Sequence, residues 1–324
     1  MVEMTFEAYD VVVVGGGAAG LNGALTLARA RRSVLVVDGG EPRNAPAAAM
    51  HAFLSRDGMP PGELLKIGRE EVRGYGGEIV SGQVVAAVRE DGGFAVTLDG
   101  GRVVRARRLL VATGVVDELP PVPGLRERWG RDVLQCPYCH GWEVRDQAVA
   151  VLATGAHAAQ QALLYRQWTP DVTLLRHTGP EPTETELAQL TARGVRLVSG
   201  EVAGLAVADD RLTGARLADG TVVPCQALVV SAQMVPRAGV LESLGVTLTE
   251  HPFGAYVAAD PSGLTEVPGV WVAGNVTDLS AQVIHAAAGG SRAAAFINFD
   301  LVAEDTARAV AAAGAAGFQV AGGR

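Results

Sequence analysis

Residues 11–38 read VVVVGGGAAGLNGALTLARARRSVLVVD, and this stretch decides the fold. Its apolar runs predict a buried strand over 11–14, a helix over 18–30 and a second strand over 33–37. A glycine-rich turn joins the first strand to the helix. The stretch therefore predicts a βαβ unit near the start of the chain.

The turn carries the spacing G-x-G-x-x-G. Gly15 permits the tight turn, Gly17 lets a pyrophosphate approach the backbone, and Gly20 lets the helix pack closely on the strand. The helix start also presents free N–H groups and the positive end of its dipole to phosphates. Asp38 ends the second strand about twenty residues further on, where a carboxylate can accept hydrogen bonds from ribose hydroxyls. Together these residues predict a dinucleotide site.

The second half of the chain repeats this organisation. Strands are predicted over 148–152 and 172–175, with a helix over 156–168 between them. In each half a short antiparallel meander follows, and then one more apolar strand, over 109–112 or 227–230. We therefore predict an α/β protein of two Rossmann-like three-layer domains, the second inserted in the first. The predicted bounds are 1–118 with 248–324 for the first domain, and 119–247 for the second.

Composition restricts the partners and the compartment. The 324 residues are 48% hydrophobic, which favours a large core. Their formal net charge of -8 disfavours binding to nucleic acid or to anionic lipid. The sequence has no apolar run of roughly eighteen residues that could span a membrane. Residues 1–10 are acidic and contain no basic or long apolar segment, so a cytoplasmic location without export is predicted.

Residues 136–142 read CPYCHGW and carry the predicted chemistry. Two thiols at this spacing can close a small disulfide, and their thiolate form exchanges with a partner through a mixed disulfide. His140 follows directly, and its ordinary pKa of roughly 6.5 suits a proton shuttle. The pattern has three other interpretations. It matches c-type haem attachment, which requires export, and it could belong to a zinc site, which requires four ligands. It could also be a purely structural thiol pair. Cys225 and the other histidines are scattered, so no metal is predicted, and Cys136, Cys139 and His140 are the predicted catalytic residues.

Two further segments favour FAD as the dinucleotide. Thr113 and Gly114 follow one predicted strand, and Gly274 and Asn275 follow another. In FAD proteins with two dinucleotide folds, segments of this kind return to the cofactor. With these motifs and the inserted C-x-x-C, the chain resembles the low-molecular-weight thioredoxin reductase family over nearly its whole length.

The resemblance implies a homodimeric flavoprotein in which Cys139 faces the flavin and Cys136 exchanges with the substrate. Gln282 matches a glutamine that lies near the flavin ring in that family. The predicted cofactor-binding residues are Gly15, Gly17, Ala18, Ala19, Gly20, Asp38, Gly39, Arg43, His51, Thr113, Gly114, Gly274, Asn275, Gln282 and Val283.

Two departures from the family pattern change the expected reaction. His140 stands where the family has aspartate, and C-P-x-C-H-G followed by an aromatic residue and Glu resembles the dithiol oxidases of gliotoxin- and holomycin-type metabolites, which return electrons to oxygen. The second nucleotide turn reads ATGAHA over 153–158 instead of GGGDSA, and side chains crowd the approach of a pyrophosphate. Only Arg176 remains of the two arginines that hold the 2′-phosphate of NADPH. A degenerate NADP(H) site is therefore predicted.

The predicted function is FAD-dependent electron exchange with a dithiol or disulfide substrate, either a small molecule or a thioredoxin-like protein. Oxygen or another redox partner, in place of NADPH, is expected to exchange electrons with the flavin. Two alternatives stay open: an NADPH-dependent thioredoxin reductase, in which electrons flow the other way, and a flavin-binding redox sensor without turnover. The intact dithiol beside the FAD motifs argues against the sensor.

Overall fold

The predicted βαβ unit opens the fold. The structure, a computed structural model, describes residues 7–315, and the outer ends of the predicted bounds, 1–6 and 316–324, lie outside the described residues. In chain order the elements are β1 (Ala8–Val14), α1 (Ala18–Arg29), β2 (Val34–Asp38), α2 (Pro61–Gly74), β3 (Glu78–Ser81), β4 (Val84–Glu90), β5 (Gly93–Leu98), β6 (Val103–Val111), β7 (Val115–Glu118), α3 (Leu125–Arg128), β8 (Val133–Leu134), α4 (Pro137–His140), β9 (Val149–Leu152), α5 (Ala158–Tyr165), β10 (Val172–Leu175), α6 (Glu184–Ala192), β11 (Arg196–Val198), β12 (Val202–Ala208), β13 (Arg211–Leu217), β14 (Val222–Pro224), β15 (Ala227–Val230), β16 (Gln233–Pro236), α7 (Gly239–Glu242), β17 (Leu248–His251), β18 (Gly254–Val257), β19 (Val270–Val272) and α8 (Val283–Ala315).

The first sheet is buried on both faces, which explains why its parallel strands read as continuous apolar runs. Its order is β3-β2-β1-β6-β5-β4, and β19 also pairs with β6. Along β1, Val11 and Val13 pack with residues of α1 and α8, whereas Val12 and Val14 pack on the other face with residues of β4, β5 and α7. Each fully buried valine stabilises the fold by roughly 1.5–3 kcal/mol.

β6 joins two segments that the sequence analysis separated, the last strand of the first predicted meander, at 102–105, and the apolar strand predicted over 109–112. It is a single strand of 9 residues, antiparallel to β5 through its first half and parallel to β1 along most of its length. The charged run in its middle does not break the strand, because its arginines are ion-paired. Arg107 donates to Asp10 of β1 at 2.8 Å, and Arg108 donates to acidic side chains of α8. These pairs tie β6 to β1 and to α8.

The second half of the chain repeats the layers of the first, as predicted. A parallel sheet of order β11-β10-β9-β15-β8 lies beside the antiparallel meander of β12, β13 and β14. The two faces of this sheet carry separate cores, one packed with residues of α5 and α6 and the other with residues of the meander. The α/β fold class with two Rossmann-like units is confirmed. We call these the first unit and the second unit.

A small sheet that the sequence analysis did not predict lies where the chain crosses between the units. β7 precedes the first crossing and pairs antiparallel with β16, and β17 and β18 complete the order β17-β18-β16-β7. Beyond β16, the side chains of Val240, Leu241 and Val246 pack into the core of the first unit. We therefore propose that the second crossing lies at residues 231–232, ahead of the predicted bound at 247.

Candidate active site

A cavity of about 1060 Å³ collects the predicted site residues from both units. The glycine turn after β1, the segment between β6 and β7, the dithiol segment and the start of α8 all line it. The predicted residues that line it are Gly15, Gly17, Ala18, Ala19, Asp38, Gly39, Arg43, His51, Thr113, Gly114, Cys136, Cys139, His140, Gly274, Asn275, Gln282 and Val283. The fold thus brings distant motifs to one place.

Close backbone approaches explain two of the three glycines in the turn. Gly15 has a φ of 111°, and a Cβ there would lie 2.4 Å from the carbonyl oxygen of Ala112. Gly20 does not line the cavity but packs on the turn, since its Cβ would lie 1.8 Å from the carbonyl oxygen of Gly15. At Gly17, by contrast, an added Cβ would have no atom of residues 7–315 within 4 Å apart from Gly17 itself and its two chain neighbours. This open space at the start of α1 fits a phosphate held by backbone N–H groups.

Two arginines that line the cavity each pair with an aspartate of its lining. Asp38 Oδ2 accepts hydrogen bonds from Arg69 Nε at 3.0 Å and from Arg69 Nη2 at 2.7 Å. Arg43 donates from Nε and Nη2 to the two carboxylate oxygens of Asp117, each at 2.7 Å. Sequence reasoning missed Arg69 and Asp117, because their partners lie 31 and 74 positions away and no local motif links them.

An unsatisfied hydroxyl lines the cavity between the two units. Thr113 Oγ1 is buried and has no hydrogen-bond partner among the described residues. Leaving such a group unpaired costs about 1–3 kcal/mol, which a polar ligand in the cavity would offset. Asn275 Nδ2 closes the loop before α8 by donating to the carbonyl oxygens of Asp278 and Ala281 at 3.0 and 2.9 Å. The open glycine turn and the Thr113 hydroxyl fit a dinucleotide that carries both phosphate and further hydrogen-bonding atoms.

The dithiol is closed as a disulfide between Cys136 and Cys139, with the two Cα atoms 5.3 Å apart. Cys136 precedes the short helix α4, and Pro137 occupies its first turn. Backbone N–H groups in the first turn have no partner within the helix, so the absence of an N–H on proline costs no hydrogen bond there. The backbone N–H groups of Cys139 and His140 donate to the Cys136 carbonyl oxygen at 3.2 Å. Gln282 Nε2 lies 3.9 Å from Cys136 Sγ and 4.0 Å from Cys139 Sγ. The predicted pair is therefore close enough to switch between disulfide and dithiol.

His140 is placed to accept a proton. Both ring nitrogens are buried without a hydrogen-bond partner in the described part of the chain. Burial lowers the pKa of His140 below its ordinary value of 6.5, whereas the Glu143 carboxylate raises it and His51 lowers it. The ring is therefore neutral at neutral pH, with a nitrogen lone pair available inside the cavity.

The second nucleotide turn lies against a separate cavity of about 240 Å³. Ala153 is buried there, and its carbonyl oxygen accepts from the Gly179 N–H at 2.8 Å. Arg176 forms an ion pair with Glu181. Glu181 and Glu186 both line this cavity, and a hydrogen bond from the Thr183 backbone keeps the pKa of Glu186 below its ordinary value. A pyrophosphate placed there would meet two carboxylates.

Cys225 takes no part in the dithiol. Its side chain packs in one of the cores of the second unit, with only 2% of the residue exposed. Burial raises the pKa of this thiol to about 12. Within residues 7–315, no group of three or more His, Cys, Asp or Glu side chains is arranged to hold a metal ion.

Comparisons with known proteins place this geometry in a family. Residues 9–290 match the model of the pyridine nucleotide-disulphide oxidoreductases. Thioredoxin reductase tcpT of Claviceps purpurea is 31% identical over 315 residues, which cover 93% of this chain and 96% of the relative. Among solved structures, HlmI is 51% identical with a TM-score of 0.90, covering 95% of this chain and 97% of that chain. A putative thioredoxin reductase TrxB of Bacillus anthracis is 28% identical with a TM-score of 0.85, covering 92% and 99%.

No helix in the described residues is both long and apolar enough to cross a membrane.

The resemblance to the thioredoxin reductases is confirmed by the matched family model and by relatives that cover nearly the whole chain. The chain therefore belongs to the pyridine nucleotide-disulphide oxidoreductase family and is a flavin-dependent disulfide oxidoreductase of the thioredoxin reductase type.

Proposed function

We propose that this enzyme oxidises a dithiol substrate through the Cys136–Cys139 disulfide and passes the electrons to FAD and then to oxygen. One observation carries the proposal: the disulfide and the His140 ring, which has no hydrogen-bond partner within residues 7–315, line the same cavity as the glycine turn of the first unit. A nucleotide held on that turn and a sulfur substrate can thus meet in one cavity. The reaction class follows from the family, and the direction of electron flow is our proposal.

The first unit supplies the residues that would hold the cofactor. The backbone at Gly17 and Ala18 would bind the pyrophosphate, and Asp38, with Arg69 beside it, would bind ribose hydroxyls. Thr113 Oγ1 would gain a hydrogen bond, which the described part of the chain does not give it. FAD, when bound, supplies the acceptor for two electrons from the reduced cysteine pair.

The residues of the second unit carry out the exchange. A substrate thiol loses its proton to a ring nitrogen of His140 and its sulfur attacks Cys136 Sγ, which breaks the bond to Cys139 with the electron pair leaving on Cys139. The second substrate thiol gives its proton to the Cys139 thiolate, and its sulfur attacks the substrate sulfur bonded to Cys136, which breaks that bond with the electron pair leaving on Cys136. The substrate leaves as a disulfide, and Cys136 and Cys139 remain as the reduced pair. The roles of the two cysteines follow the resemblance, with Cys136 as the exchange thiol.

The second nucleotide site supports oxygen over NADPH as the partner of the flavin. Arg176, the remaining guanidinium, has Glu181 as its partner, and Glu186 adds a second carboxylate to the same small cavity. Like charges disfavour the binding of a phosphorylated nucleotide. The substrate class, homodimer formation and the cytoplasmic location stay predictions.

The proposal is tested by anaerobic titration of the purified yellow protein, followed by the visible absorbance of the flavin. We expect dithiothreitol to bleach the flavin, NADPH to leave it unchanged, and admitted oxygen to restore the colour. Stoichiometric bleaching by NADPH would instead establish the thioredoxin reductase alternative. The variant Cys136→Ser is the control, and it should keep its flavin but lose reduction by dithiothreitol.

A further inference from the structure

One face of α5 lines the cavity with side chains that the dithiol chemistry does not use. His157, Gln160, Gln161 and Leu164 all belong to the cavity lining. Counted from His157, the N-cap of the helix, they follow the spacing i, i+3, i+4 and i+7, which places them on a single face. The second unit therefore presents a continuous helical wall to the same cavity as the disulfide.

Hydrogen bonds tie this helical face to the dithiol segment. Gln161 Nε2 donates to the carbonyl oxygen of Gln135 at 3.2 Å, and Ser231 Oγ donates to Gln161 Oε1 at 3.2 Å. Gln135 directly precedes Cys136 in the chain. His157 lies four residues before Gln161, so their Cα atoms are about 6 Å apart along the helix. A molecule bound at Cys136 can therefore reach His157 across one helical turn.

Three rings of the small sheet meet His157 from the other side of the cavity. The ring centroids of His157 and Phe253 are 4.8 Å apart, and the His251 centroid lies 5.5 Å from that of Phe253 and 6.2 Å from that of Tyr256. All four rings line the cavity. We call His157, His251, Phe253 and Tyr256 the aromatic cluster. Tilted and edge-on rings at these spacings attract one another, so the cluster joins α5 to the small sheet.

Backbone contacts fix the position of Phe253, in the turn between β17 and β18. Its N–H donates to His251 Nδ1 at 3.2 Å, and its carbonyl oxygen accepts from the Met234 N–H at 2.8 Å. Gly254 follows with a φ of 136°, and a Cβ there would lie 2.0 Å from the Met234 carbonyl oxygen. The turn is thus held against β16. A ring that is already fixed loses little conformational freedom when a ligand packs on it.

An unsatisfied acceptor lies on the same route from the disulfide. Gln135 Oε1 is buried and has no hydrogen-bond partner among residues 7–315, and Gln135 lines the cavity. Buried polar atoms in proteins are nearly always paired, and a bound molecule with a donor group would pair this one. This atom indicates, independently of the rings, that a ligand occupies the cavity beside Cys136.

We propose that the aromatic cluster binds an unsaturated ring of the dithiol substrate while the substrate sulfurs exchange at Cys136. This inference rests on the proposed function of the dithiol. The substrate ring packs on Phe253 and His157, because aromatic faces and edges favour such contacts with one another. A dithiol without a ring reacts at the same cysteines but gains no binding from the cluster. Phe253 and His157 therefore determine which dithiols the enzyme prefers.

The test compares ortho-benzenedimethanethiol, which carries a ring, with dithiothreitol, which carries none. Anaerobic rapid mixing with the FAD-loaded protein gives the second-order rate constant of flavin reduction for each dithiol. The ratio of the two constants cancels any effect that acts on both. We expect Phe253→Ala and His157→Ala to lower this ratio roughly three- to tenfold relative to the wild type.

Two further variants serve as controls. Phe253→Tyr keeps the ring and should keep the wild-type ratio. Phe299→Ala removes an exposed phenylalanine of α8 and should also leave the ratio unchanged. His157 is exposed, so His157→Ala keeps the test available if Phe253→Ala does not fold.

The ratio also separates failure of the ring site from failure of the proposed function. A wild-type ratio in both alanine variants would overturn the ring site, and so would equal losses with the two dithiols, since those leave the ratio unchanged. A loss in Phe253→Tyr as large as that in Phe253→Ala would overturn it as well, because the ring is still present there. If dithiothreitol fails to reduce the wild type itself, the proposed function is wrong and the ring site falls with it.

Discussion

Gln282 Nε2 lies 3.9 Å from Cys136 Sγ, although 146 positions separate the two residues in the chain. Gln282 precedes α8 in the first unit, whereas Cys136 precedes α4 in the second unit. The residue just before α8 therefore places an N–H donor beside the disulfide. Such a donor interacts weakly with a neutral sulfur and more strongly with a thiolate, so its effect should be greatest after the bond is reduced.

Gln282→Leu keeps the size of the side chain and removes the donor. Loss of a hydrogen bond to a charged group amounts to about 1.5 kcal/mol, so the pKa of the reduced thiol pair should rise by roughly one unit. The measurement is the pH dependence of alkylation by iodoacetamide in the reduced protein. Gln282→Glu sets a negative charge beside the sulfur and should raise the thiol pKa further. An unchanged alkylation profile in both variants would show that Gln282 does not stabilise the thiolate.

His140 predicts how the reduction of the flavin by a dithiol depends on pH. Because burial lowers its pKa below 6.5, the ring stays a proton acceptor throughout the neutral range and is lost as an acceptor only in acid. The rate should therefore fall on an acid limb whose midpoint lies below pH 6.5. His140→Gln should lower the rate by roughly 100-fold or more, as expected for loss of a general base. Stopped-flow reduction between pH 5 and 8 measures both effects; an acid limb that persists in the variant would assign it to another group.

The same histidine predicts a change in stability. Between the lowered pKa of the folded state and the unfolded value near 6.5, the unfolded chain binds more protons at this site, so stability falls as the pH drops through this window. His140→Gln removes the site in both states and should flatten that part of the curve. Thermal unfolding of the flavin-free protein across this range checks the sign, with His285→Gln as a control for the loss of an imidazole outside the dithiol segment. A steeper loss of stability in the variant would contradict it.

Gly17 and Gly20 should respond in opposite ways to alanine. At Gly20 the new Cβ would lie 1.8 Å from the Gly15 carbonyl oxygen, so Gly20→Ala should destabilise the fold by at least about 1–3 kcal/mol. At Gly17 the Cβ meets open space in the protein and would occupy room that the pyrophosphate needs. Gly17→Ala should therefore fold but lose the yellow colour. Circular dichroism and the ratio of flavin to protein absorbance separate the two; full flavin content in Gly17→Ala would contradict the assignment of the phosphate site.

Cys225 should remain unreactive in the folded protein. Its burial and a pKa of about 12 keep it protonated and inaccessible at pH 8. Thiol titration should therefore detect no reactive thiol in the native oxidised protein. After reduction it should detect Cys136 and Cys139, and it should detect Cys225 only after denaturation. Cys225→Ala should keep the rate of reduction by dithiothreitol. Rapid labelling of Cys225 in the native protein would show that the core of the second unit in which it packs opens.

Features that depend on neighbouring residues could be predicted from the sequence. The alternation of valine runs with an apolar helix, the glycine spacing from Gly15 to Gly20 and the two cysteines around a proline each operate within a few residues. For this reason the βαβ repeat, the α/β class and the thiol pair were predicted. β6 was divided wrongly, since its arginines pair with acids that lie far away in the chain and no local pattern shows those partners.

Only the tertiary structure decided the partners of the site residues. Arg69 pairs with Asp38, Asp117 with Arg43, and Glu143 with His51, and each pair is formed by segments that the sequence leaves unconnected. Such pairs depend on how sheets and loops pack, which is set by the burial of many apolar side chains at once and leaves no local pattern. The sequence by itself thus determined which chemistry the chain carries, and the packing of the two units decided which charges surround it.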